Sequence, residues 1–70
     1  METFKDNKGR RYIAIKKAEH SKTDAVKIAN EHFKKKKEDL IVQTGKMIDE
    51  ETIKIGCRGD LWVVSRRFAE

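Results

Sequence analysis

The clearest pattern of apolar and polar positions lies near the end of the chain. Ile53, Ile55 and Cys57 alternate with polar or small residues, and Trp62 and Val64 resume the alternation after Gly59-Asp60. Glycine followed by aspartate suits a two-residue type II′ turn, whose first central position has positive φ. That turn pairs Cys57 with Trp62, Ile55 with Val64 and Ile53 with Arg66, and it collects the apolar members on one face. A slip of one residue would scatter them, so turn and pattern support the same register. The opposite face carries Lys54, Gly56, Arg58, Leu61, Val63 and Ser65. Trp62 is expected in the core near Phe33, with Cys57 buried beside it.

Earlier in the chain, Tyr12-Ile13-Ala14-Ile15 reads as a strand with Ile13 and Ile15 on one face. Asn7-Lys8-Gly9 before it fits a three-residue hairpin loop with Gly9 in the left-handed region, which sets Asp6 opposite Arg10 and Phe4 opposite Tyr12. The strand is expected to end near Glu19-His20. Ser21 is a natural N-cap, supported by Asp24 three residues on. Ala25, Val26, Ala29 and Phe33 then recur at helical spacing, with Ile28 and His32 at the edges of the stripe. The spacing predicts a helix that frays within Lys34–Lys37, where four like charges repel. Leu40-Ile41-Val42 reads as a short apolar strand, Thr44-Gly45-Lys46 as a turn and Asp49-Glu50-Glu51 as a solvated acidic turn. The order is ββαβββ: a single α+β domain over residues 1–70, with one helix packed on a mostly antiparallel sheet.

Charge changes this picture by pointing outward. Charged residues make up 41% of the 70, with a net balance of +5. Residues 1–37 hold 12 Lys/Arg against 5 Asp/Glu, whereas residues 38–70 hold 5 against 7. A basic half suits an anionic partner, most often nucleic acid. The core available to so short a chain is modest, which leaves room for a homodimer. One cysteine cannot form an internal disulfide. No apolar run approaches the roughly 20 residues of a membrane span, and Met1 to Arg11 lacks an apolar signal region. The expected location is the cytoplasm, with no membrane partner.

Candidate chemistry is sparse. Cys57 has no evident activating neighbour. Two histidines twelve residues apart and one cysteine fall short of a zinc site. The four glycines match no phosphate-loop or dinucleotide pattern. The tripeptide Arg58-Gly59-Asp60, familiar from adhesion proteins, is already accounted for by the hairpin turn. No catalytic residue, cofactor or metal is therefore expected, and the chain reads as a binder, not an enzyme.

Two functional expectations follow. The first is a small nucleic-acid-binding accessory protein, of a kind a phage or mobile element carries, which contacts DNA or RNA largely through charge and with slight sequence preference. Its contacts would come from Lys8, Arg10, Arg11, Tyr12, Lys16 and Lys17 on the first hairpin. Lys34, Lys35, Lys36 and Lys37 at the helix end and Arg66 and Arg67 in the last strand would add to them. The second is a protein-interaction module that docks on a larger enzyme or assembly and inhibits or regulates it, using Leu61, Val63 and Phe68. Gathering of the basic residues on one face favours the first, and an exposed patch of Leu61, Val63 and Phe68 favours the second.

Overall fold

The computed structural model describes residues 2–69. The chain forms β1 (Glu2–Lys5), β2 (Arg10–Lys16), α1 (Lys22–Thr44), β3 (Asp49–Glu50), β4 (Lys54–Arg58) and β5 (Leu61–Ala69). This is the expected α+β arrangement, one helix on a five-stranded antiparallel sheet in ββαβββ order. The sheet runs β1-β2-β5, and the far edge of β5 is shared end to end by β4 and β3.

Both hairpins follow their turn chemistry. Gly9 has φ 84°, and Phe4 pairs with Tyr12. The Asp6 carboxylate closes the loop by accepting the backbone N–H groups of Lys8 and Arg10, each at 2.9 Å. Gly59 has φ 60° and Asp60 does not share the positive sign, as a type II′ turn requires. Cys57 pairs with Trp62 and Ile55 with Val64. The expected pairing of Ile53 with Arg66 does not form, because the ladder stops at Lys54 opposite Ser65. Ile53 instead packs half-buried against the core.

The helix starts as expected, with the Ser21 hydroxyl accepting the Asp24 N–H at 3.2 Å, but it does not fray at Lys34–Lys37. It continues for 23 residues to Thr44 and takes in Leu40-Ile41-Val42, which are helical and not a strand. Nothing between Lys37 and Leu40 breaks a helix, and Leu40 and Ile41 extend the stripe begun by Ala29 and Phe33 by further turns. Lys37 lies 3.1 Å from Glu50, which relieves the lysine repulsion. The stop comes at Gly45, whose left-handed φ of 67° lets its N–H reach the Ile41 carbonyl. The third strand falls instead on Asp49–Glu50, the pair expected in an acidic turn.

The core lies between α1 and one face of the sheet. Ile13, Ile15, Ala25, Ala29, Phe33 and Val64 form the buried cluster. Phe68 meets Phe33 edge to face, with ring centroids 6.0 Å apart. Trp62 was expected there, yet it lies only half-buried near the start of the helix. Its indole N–H donates to the His20 carbonyl at 3.0 Å, and Lys17 lies 4.8 Å from its ring centroid. Cys57, expected to be buried, is exposed; it sits in edge strand β4, near the turn, while the helix packs chiefly on β5. No helix is long and apolar enough to cross a membrane, among the described residues.

Candidate nucleic-acid interface

One helix covers one face of the sheet, and the register defines what the other face presents. Directly opposed residues point to the same side. Four rows therefore cross the open face: Lys16, Leu61 and Arg58; Glu2, Ala14, Val63 and Gly56; Phe4, Tyr12, Ser65 and Lys54; Arg10 and Arg67. Asp49, opposite Ala69, adds an acid at one corner. Ala14 and Ser65 are small and buried, and they make a low floor between the larger side chains.

The Phe4 and Tyr12 rings are stacked at 5.1 Å with planes 11° apart. Phe4 is half exposed, at 50%. The Tyr12 hydroxyl donates to Asp6 at 3.1 Å, which ties the ring to the hairpin loop. Beside the rings, Lys8, Arg10, Lys54 and Arg67 line a shallow depression of about 450 Å³ together with Asp6 and Glu51. The Asp6 carboxylate accepts three hydrogen bonds from within its own hairpin, and Glu51 holds Arg67 at 3.3 Å. Desolvation pushes the Asp6 carboxyl up, but the N–H groups of Arg10 and Lys8, the Tyr12 hydroxyl and the Arg10 charge outweigh it. The carboxyl lies below its ordinary value and stays ionised. The same bond to Asp6, with desolvation, raises the Tyr12 hydroxyl.

The residues nominated from sequence do not gather into one patch. Lys8, Arg10, Tyr12, Lys16 and Arg67 belong to the open face or the loop at its end. Arg11 shares the core side with Ile13 and Ile15, and it lines a groove between β1 and the helix with Lys5, His32 and Lys36. Lys34 and Lys35 are exposed on the helix, which lies across the sheet from the open face. Lys37 and Arg66 both reach Glu50, at 3.1 and 2.8 Å, and Arg66 also donates to the Glu51 carbonyl. Lys17 covers Trp62. The residues named for protein docking are also divided. Leu61 and Val63 are half-buried on the open face, whereas Phe68 turns to the core. The expected patch of all three does not exist.

Sequence reasoning missed Lys54 and Arg58 as partners of the first hairpin, and left Phe4 beside the site instead of in it. The alternation in the last hairpin already placed Lys54 and Arg58 on the outer face; what it lacked was that β5 lies next to β2. The face can hold an anion and stack a planar ring. Among the described residues, no group of three or more His, Cys, Asp or Glu side chains is placed to hold a metal ion. In comparison with known proteins, no family model, curated sequence or solved structure matches the chain.

Proposed function

We propose that the protein is a nucleic-acid-binding accessory protein that works in the cytoplasm, without catalysis, and grips its partner through the open face of its sheet. The single observation behind this reading is the juxtaposition on that face of the Phe4–Tyr12 stack and the cations Arg10, Lys54 and Arg67. Cations neutralise phosphates, and exposed rings stack on bases of any identity, so affinity is electrostatic and sequence preference slight. Titration of labelled DNA and RNA at several salt concentrations tests it. Changing Arg10 and Lys54 to Ala together should weaken binding and flatten the salt dependence by a slope of about 1.5. Arg11→Ala, on the other side of the sheet, should change it much less. Absence of binding at about 50 mM salt, where phosphate contacts are strong, removes the proposal.

A second reading rests on Leu61 and Val63, which lie on the same face next to the exposed Gly56 of edge strand β4. A partner protein that inserts an apolar side chain over Gly56 and pairs with that edge would use these residues. Leu61→Ala, which leaves the charge of the face unchanged, would weaken such docking and leave nucleic-acid binding little changed.

A further inference from the structure

We infer that the open face takes a single strand and not a duplex, with one base stacked on the free face of the Phe4 ring and a neighbouring phosphate in the depression lined by Lys8, Arg10, Lys54 and Arg67. This rests on the nucleic-acid reading and narrows its substrate class. A stacked pair occupies one face of each ring against the other. Phe4 is in the outermost strand and is half exposed, so it keeps surface for a further planar group. Bases present their faces only when unstacked; in a duplex they present edges.

The sheet's shape argues the same way. Four strands abreast span about 14 Å of backbone, counting roughly 4.8 Å for each gap. A B-form major groove about 12 Å wide admits a helix or a two-stranded ribbon, but not this face. The first hairpin cannot serve as such a ribbon, because β2 is locked to β5 from Arg10 to Lys16. Only the loop between Asp6 and Arg10 extends past that pairing, and its carboxylate is directed into the loop. Arg10 and Arg11 point to opposite sides of the sheet and do not meet at a tip. The acceptor end of the site is also prepared. Four cations face two carboxylates there, which leaves the depression net positive.

Fluorescence anisotropy with a labelled mixed-sequence 12-nucleotide single strand and the matching duplex, at about 50 mM salt, separates the outcomes. The expected result is at least about tenfold tighter binding of the single strand. Phe4→Ala should weaken it by about tenfold with an unchanged salt slope, and Phe4→Tyr should restore it. Arg10→Gln or Lys54→Gln should each lower the slope by about 0.7. Circular dichroism identical to wild type shows that the domain is folded in each variant, and Phe4 is half exposed, so its truncation spares the core. Equal or tighter duplex binding overturns the single-strand assignment and leaves the broader nucleic-acid reading in place. Preference for the single strand with a neutral Phe4→Ala overturns the stacking subsite. No binding to either overturns both.

Discussion

Truncating Phe33 to Ala is the most direct test of where the centre of this small core lies. Phe33 is fully buried among Ile13, Ile15, Ala25, Ala29 and Val64, with Phe68 set edge-on against it. Removing a buried phenyl ring costs about 3–5 kcal/mol. The lost edge-to-face contact, itself about 0.5–1.5 kcal/mol, argues for the upper part of that range. A core of this size supplies only about 3–5 kcal/mol in all, so Phe33→Ala should be largely unfolded at 25 °C. Trp62→Phe exchanges the half-buried indole for a smaller phenyl ring and removes the bond to the His20 carbonyl, which alone contributes about 1 kcal/mol. That corresponds to roughly 4–8 °C in melting temperature. Ile13→Val, at about 0.5–1.5 kcal/mol, supplies a folded intermediate case. Urea and thermal unfolding followed by far-ultraviolet circular dichroism read all three. A Phe33→Ala protein that melts within a few degrees of wild type, or a Trp62→Phe loss larger than the Phe33→Ala loss, would refute this placement of the core.

Four further outcomes are expected. Gly59→Val should lose about 1–2 kcal/mol or more from its positive φ alone, since a Cβ there meets no neighbour within 4 Å, while Asp60→Asn should be nearly silent in thermal melts. Asp6 has a lowered folded pKa, so its contribution is complete above its ordinary value of 3.8 and is lost as pH falls through the lower folded value; Asp6→Asn should remove this part of the acid dependence of urea stability. Tyr12 is raised, so its share is complete below 10.0 and fades as pH rises past the folded value, a loss that Tyr12→Phe should abolish. Glu50→Gln should cost about 0.5–1 kcal/mol at low salt and less at high salt, because Lys37 and Arg66 are both partly solvated.

Most of the fold was legible where it depends on neighbours in sequence. Glycine positions dictated both hairpins, and Ser21 with the Ala25–Ala29–Phe33 stripe dictated the start of the helix. Leu40-Ile41-Val42 misled because an apolar triplet with two β-branched members looks the same as a strand core or a helix edge. What decides it is partly tertiary, Glu50 beside Lys37, and partly local, the cap at Gly45 that ends the helix after the triplet and not before it. Trp62 misled for a related reason. Its size suggested the centre, but the helix axis places Phe33 over Phe68 and leaves Trp62 beside the loop before the helix. The candidate site was half visible. Arg10 and Tyr12 stood out in the sequence, but separating them from Arg11, and joining them to Lys54, needs the pairing of β2 with β5 across about fifty residues of chain.

The place of β5 also shapes how the protein must fold. It alone touches β2, β3 and β4, and its ladder with β2 joins Lys16 to Leu61 and Arg10 to Arg67. The first hairpin and the helix can form early from local contacts, whereas the main ladder must wait for a long loop to close. Until then β2 is left with one open edge and the apolar faces of Ile13, Ile15 and Phe33 have no lid. A chain interrupted before Leu61 would therefore be an aggregation-prone fragment rather than a smaller version of the domain. Collapse should be fast and acquisition of the sheet slow and single-exponential, with substitutions in β5 setting its rate.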